Sequence, residues 1–491
     1  MSAPGTATAL LAIAPVLVPL ATALVAALCA RRPGLARAVS LAGALAHVGV
    51  ALAVLAAVAR HGSVRVVPGA WPAAVGIEFV VDPLGAVMIA TTALVGLACL
   101  VFMASDADPP PASGLLHALV HGLLAGASGA FATADLFNLY VWFEVMLLAA
   151  LGLLALGGSR RQLDATFKYF VLNVLGTLLL LAAIAALYGL TGHLNFAALR
   201  EAGAGVGGDV LAPALVLAGV ALLVKSGGFP VFAWLPASYH TLPAPVLALF
   251  AAVLTKAGAF ALLRLYGDVF VPPAALLEAL GWVAVATMVA GVLGAAYHWD
   301  MRRILAVHIV SQIGYMLLAI ALQGPDATVG AVFFLVHNMV VKANLFLIAA
   351  IAFRLAGSYD LRRIGGLWRA HPVLALLFLL QALSLVGLPP LSGFWAKFIV
   401  LRETLAQGHV AWAVAGFAVS LLTLYSMAKI WLAAFWKPHP VKGWTTPGPT
   451  RLGPAWAVAW GLAGLSLAMG LFPQVLVDAL APTAASLAGG R

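Results

Sequence analysis

Residues 222–263 read LLVKSGGFPVFAWLPASYHTLPAPVLALFAAVLTKAGAFALL, and the architecture follows from how this stretch must sit in a membrane. It sets Lys225 and Lys256 deep inside two apolar segments, each long enough to enter a bilayer. Between them Gly227, Gly228 and Pro230, then Pro236, interrupt a helix, because glycine is a poor helix former and proline lacks the N–H. Lipid offers no partner to a freed backbone group. A broken segment at membrane depth must therefore be enclosed by protein or line a wet cavity, and this one predicts an internal polar path. An ammonium drawn out of water holds its proton less tightly, which suits a lysine on such a path to proton exchange.

The flanking sequence agrees. The chain of 491 residues is 64% hydrophobic and 9% charged, which predicts an all-α polytopic membrane protein. At about 20 to 25 residues per crossing, the apolar runs give about 14 spans. These lie near 8–30, 35–59, 83–104, 114–133, 136–157, 166–190, 209–235, 243–264, 273–297, 303–322, 327–353, 371–401, 410–435 and 453–477. The first run lacks a basic flank and is expected to be retained as a span. Alternate loops divide the basic residues unequally. One set holds fifteen, from Arg31 to Arg451, and the other six: Arg60, Arg65, Arg200, Arg264, Arg402 and Arg491. Positive loops stay cytoplasmic, so both termini are expected outside a multi-pass inner (cytoplasmic) cell membrane. The same scatter explains the net charge of +10 without nucleic acid. Cys29 and Cys99 show neither metal nor disulfide spacing. Val64-Arg65-Val66 and Ile77-Glu78-Phe79, with Pro68-Gly69 between, predict a small outside hairpin, whereas 197–209 and 438–453 are expected to be loops.

The remaining basic residues are five lysines within spans: Lys225, Lys256, Lys342, Lys397 and Lys429. Among the acids, Glu144 alone lies well inside one. Each such charge costs at least about 2.5 to 3.5 kcal/mol on insertion scales, which favours a functional reading. Lys429, about two turns from a span end, is better explained by snorkelling. Glu144 needs a partner from another helix, and Lys225 is the deep candidate. Closing that pair stabilises the charged lysine and opening it favours proton release, though a purely structural buried ion pair is the bland reading. His308 and Gln312, four apart, share a helix face. His337 and Lys342, five apart, share one only across a π-bulge. Both histidines can relay protons or simply be hydrogen-bonded core residues. His117 and His121, also four apart, lack a third ligand, so a metal site is not expected there. His240 follows the broken span as a candidate for proton uptake.

A second break occurs at Gly387-Leu388-Pro389-Pro390-Leu391-Ser392-Gly393, followed by Lys397. Two interrupted spans five apart are what an inverted repeat leaves in sequence, since an odd separation reverses direction; coincidence between two kinked helices is the alternative. Spans 4–8 and 9–13 are expected to be the two units, with broken helices 7 and 12 and with Lys225 and Lys397 in corresponding places. The chain then divides into 1–113 (spans 1–3 with the hairpin), 114–264 (first proton-channel repeat), 265–435 (second) and 436–491 (a loop and span 14). No phosphate-binding glycine loop or cysteine cluster appears, so no cofactor, resident metal or catalytic group is expected.

Lys225-Ser226-Gly227-Gly228-Phe229-Pro230, Trp234-Leu235-Pro236, Lys256-Ala257-Gly258, Arg303-Ile304-Leu305-Ala306, Ser311-Gln312-Ile313-Gly314-Tyr315 and Gly387-Leu388-Pro389 with Ser392-Gly393-Phe394 follow one another in this order. Over roughly 80–435 the chain resembles the proton-conducting membrane subunits shared by respiratory complex I and Mrp cation/proton antiporters. The resemblance implies 14 helices with inverted five-helix repeats. It also implies Glu144 and Lys225 as a coupling pair, and Lys256, His337, Lys342 and Lys397 along a central hydrophilic axis. Its functional implication is a secondary transporter subunit, not an enzyme, in a complex that exchanges Na+ or K+ for protons, with partners of the A, B, C, E, F and G types. The cation crosses either here or at another subunit. A proton-pumping subunit of a complex I-type enzyme or membrane-bound hydrogenase is the alternative, and a passive scaffold is a third reading. Many complex I relatives carry an acidic residue after Trp-Leu-Pro and a glutamate where Lys397 stands, so the chain departs from them at those two positions.

Overall fold

The computed structural model describes residues 9–72, 76–105, 107–108, 113–446 and 451–489, and among them nineteen α-helices. The N-terminal part holds α1 (Ala14–Leu28), α2 (Pro33–His61) and α3 (Pro83–Phe102), with β1 (Val64–Val66) and β2 (Phe79–Val81) between the last two. The strands pair antiparallel, Arg65 opposite Val80, as the expected hairpin.

The first repeat comprises α4 (Gly114–Ala132), α5 (Leu136–Ala155), α6 (Arg160–Thr191), α7 (Phe196–Val206), α8 (Gly208–Ser226), α9 (Trp234–Ser238) and α10 (Ala244–Arg264). The second comprises α11 (Ala274–Tyr297), α12 (Met301–Leu322), α13 (Pro325–Ala356), α14 (Leu367–Ala370), α15 (Pro372–Val386), α16 (Ser392–Ala406) and α17 (Val410–Ile430). Two helices follow, α18 (Gly453–Leu471) and α19 (Pro473–Gly489). Among the described residues, 12 helices are long and apolar enough to cross a membrane. Adding the short apolar α1 and the α15–α16 pair accounts for the predicted 14 crossings.

Matching local structure marks the repeats. Asp135 caps α5 and Asp300 caps α12, each side chain accepting from the third backbone N–H beyond it. Isolated bridges join Asp135 to Asn195 and Asp300 to Asp360, both pairs offset by the same 165 residues. Each repeat also ends on a π-helical turn, Leu265–Val269 after α10 and Trp431–Trp436 after α17. The helices carrying the central charges lie innermost: the apolar windows of α10 and α12 are wholly buried, against 39% for α6.

Three details differ from expectation. The segment after Asn195 is a helix, α7, because the Asn195 side chain accepts from Ala197 N and Ala198 N and so supplies its N-cap. Pro473 ends the last span early and begins α19. Lys225 lies on the half-helix before its break, whereas Lys397 lies on the half after it, so the two do not occupy matching sequence positions. Arg491, counted with the outside loops, and 447–450 of the predicted second loop lie outside the described residues.

Candidate proton path

Both breaks are built the same way. Gly227 (φ 75°) and Gly387 (φ 97°) terminate α8 and α15 in the left-handed region that glycine adopts without steric cost. The final carbonyls of such half-helices have no intrahelical partner and form the negative end of the helix dipole, a natural seat for an ammonium. Lys225 is in the last turn of α8. Lys397 reaches back across its break to donate to Val386 O, the last residue of α15, at 2.8 Å. Lys397 thus bonds the helix end across its break, whereas Lys225 starts from the end of its own half-helix and bonds elsewhere.

Lys225 Nζ donates to Thr177 Oγ1 at 2.6 Å and Asn173 O at 3.1 Å, both on α6. A cavity of about 20 Å³ lies beside it, between Phe143, Asn173 and Trp234. That is room for about one water. Glu144 on α5 is near enough to act on Lys225 through space. Its carboxylate nevertheless belongs to none of the ion pairs among the described residues, and Oε1 is buried without a partner. The predicted pair is open.

From α8 the charged groups continue along helices packed in succession, α10, α13 and α16. A Cβ on Gly258 would stand 2.7 Å from Ser226 N, so glycine there lets the end of α8 rest on α10. Lys256 Nζ donates to Ala251 O at 2.6 Å. On α13, Lys342 Nζ donates to Leu305 O of α12 at 3.2 Å, while His337 Nδ1 lies 2.8 Å from Ser392 Oγ on α16. Helix α13 is regular throughout, with no π-bulge, so the five-residue spacing sends these two groups to different neighbours. Lys342 senses the charges of Lys256 and Lys397, and His337 senses all three. Lys397 also donates to Ser420 Oγ at 3.1 Å and lies 5.0 Å from the Tyr315 ring. His308 Nε2 is 2.5 Å from Ser426 Oγ. The Gln312 amide, which shares its face, is buried with both polar atoms unpartnered, as are His337 Nε2 and the Asn338 amide.

Two predicted groups stand apart from this row. Lys429 donates to Ala296 O and His298 O, closing the end of α11. His240, between spans, donates from Nδ1 to Pro236 O and accepts at Nε2 from Arg303. Burial, then the Arg303 charge, pushes this imidazole down to about 4. His121 Nε2 meets Ser40 and His47 Nε2 meets Ser128, joining α2 to α4.

Sequence reasoning missed the neutral partners: Asn173, Thr177, Ser420, Ser426 and the cluster of Ser384, Ser392 and Ser466 beside His337. The available signal was polar residues at four-residue spacing in apolar spans, Asn173 with Thr177, and serines flanking the second break.

A family profile described as NADH:quinone oxidoreductase/Mrp antiporter, TM, matches residues 133–423. A curated relative from Alkalihalophilus pseudofirmus, named as the D-type subunit of a Na(+)/H(+) antiporter, is 38% identical over 429 residues, 87% of each chain. Its namesake from Bacillus subtilis is 34% identical, covering 86% of each. Among solved structures, a chain of the Mrp complex from Dietzia sp. superposes with a TM-score of 0.88 at 33% identity, covering 98% of both. A chain of respiratory complex I from Thermus thermophilus gives 0.84 at 26%, covering 97% of this chain and 99% of its own.

Proposed function

Because this chain belongs to the NADH:quinone oxidoreductase/Mrp antiporter transmembrane family, we propose that it is the D-type, proton-carrying subunit of a multisubunit Na+/H+ or K+/H+ antiporter. The observation that carries this reading is the row of buried ammonium groups on successively packed helices: Lys225, Lys256, Lys342 and Lys397. Each cation is held by neutral oxygens alone, so a proton can leave it without stranding a bonded carboxylate. His337, Gln312 and Asn338 keep buried polar atoms free to hydrogen-bond to water between those stations. Glu144 closing on Lys225 stabilises the charged lysine, and its withdrawal sends the proton onward to Lys256 and then past Lys342 and His337 to Lys397.

A redox-driven complex is the second reading. Its support is the complex I neighbour at 26% identity, against relatives named as D-type antiporter subunits at 34% and 38%. Partners of the other antiporter types, a cation crossing at one of them, and termini on the outer side of the cell membrane belong to the same proposal. The test is cation-dependent proton flux in vesicles carrying the whole complex. Glu144→Ala, Lys225→Ala and Lys397→Ala should each abolish exchange while the complex still assembles. Normal transport by all three would end the relay assignment.

A further inference from the structure

We propose that the hairpin end of the molecule binds one zwitterionic glycerophospholipid, its tail in a groove between the N-terminal helices and α18–α19 and its headgroup in an adjoining pocket of arginines and carboxylates.

The groove is about 790 Å³. Leu55 and Leu94 line one wall, Leu465 and Leu476 the other, and Val336 and Val340 of α13 the floor. Along α3 its lining runs from Pro83 to Leu94, roughly 16 Å at 1.5 Å per residue. That is about half of a hydrocarbon core of ~30 Å, the depth of one leaflet.

At its surface end the groove runs into a second pocket of about 460 Å³, and Gly62, Pro482 and Thr483 line both. Arg65, Arg200 and Arg264 line this pocket together with Glu78, Asp82 and Asp268, so its charges balance. Arg264 is buried between Asp82 and Asp268. Arg65 and Arg200 leave 66% and 44% of their side chains exposed, and Arg65 reaches Glu78 only at 3.7 Å. Arg200 is engaged by Asp268, its Nη2 on the carboxylate and its Nε on the backbone oxygen, so Arg65 is the guanidinium available to a phosphate, which arginine binds with paired N–H donors. An ammonium would face Glu78 and, at the groove rim, Asp478. An apolar trough one leaflet deep that opens into a balanced set of charges at one end matches an amphiphile with both its charges at its head. A transmembrane helix from another subunit would fill the trough and leave the charged end unused.

The assembled complex, purified in mild detergent and supplied with phosphatidylethanolamine, would be examined by native mass spectrometry after washing. Ala468→Trp, an exposed small residue on the groove wall, fills the trough, Arg65→Glu removes a phosphate contact, and Leu421→Trp on the exposed face of α17 is the control. Wild type and control should keep a bound phospholipid through the wash; Arg65→Glu should lower its retention by roughly tenfold, as expected for a lost charged contact, and Ala468→Trp, which occupies the tail's place, should lose it at least as far. Equal retention by Ala468→Trp and wild type would overturn the proposal, as would a density map of the complex with another subunit's helix in the groove. Should Ala468→Trp fail to assemble, Arg65→Glu decides alone, and unchanged retention there overturns it equally.

Discussion

Lys225 is held by a hydroxyl and a carbonyl while the carboxylate that acts on it stands free. The threonine therefore governs how readily the ammonium turns toward Glu144 or onward. Losing a hydrogen bond to a charged group costs about 1.5 to 3 kcal/mol, or roughly ten- to a hundredfold in an equilibrium. Thr177→Val is expected to slow cation-dependent proton flux by about tenfold with the complex intact, and Thr177→Ser to restore it; equal rates in all three would remove Thr177 from the path. His240 gives the opposite expectation. Its imidazole, depressed to about 4 by burial and Arg303, is neutral at every pH above that value and so carries no titration in the working range. His240→Gln should leave the pH profile of exchange unshifted between about pH 5 and 8, the range in which an ordinary histidine would show itself. A displaced profile would reinstate His240 as a proton-uptake group. The lysines were legible in the sequence because a charge inside an apolar run is conspicuous and costly. Asn173 and Thr177 were not, because such side chains bond their own helix, Asn173 to Tyr169 O and Thr177 to Asn173 O, and sit there at little cost.

Among the helices, the Gly-Pro breaks announced themselves, since no unbroken span would carry them. What the sequence left open was how the two halves meet. Gly393 lets α16 approach α15 so closely that a Cβ there would overlap the Ser384 carbonyl oxygen and stand 2.9 Å from His337 Cε1. The first neighbour is backbone and cannot swing aside. Overpacking of this kind costs about 1 to 3 kcal/mol, so Gly393→Ala should lower the melting temperature of the purified complex. Gly461→Ala on α18, with nothing within 4 Å of its Cβ, should not. Equal melting of the two would mean that the break opens freely. Helices α7 and α19 escaped the sequence reading for a different reason. Both lie beside spans without being spans, and their boundaries rest on a single cap, Asn195, and a single proline, Pro473. Hydropathy averages over a window cannot see either.

Taken across the full chain, the inverted repeat is what would let the proposed row of lysines carry a proton across a membrane. Asp135 and Asp300 begin equivalent helices, yet five spans separate them, so the two broken helices face the membrane in opposite senses. A proton taken up at one break and released at the other has then crossed, provided the molecule has one fixed orientation. The fifteen-to-six division of basic residues between loop sets predicts one, because translocating arginines and lysines is disfavoured. The assignment puts the exposed Glu201 on α7 outside and the exposed Thr445, in the loop after α17, inside. With Cys29 and Cys99 replaced, Glu201→Cys should react with an impermeant maleimide in intact cells, and Thr445→Cys only after the membrane is opened. The reverse pattern would keep every contact described above but exchange uptake for release.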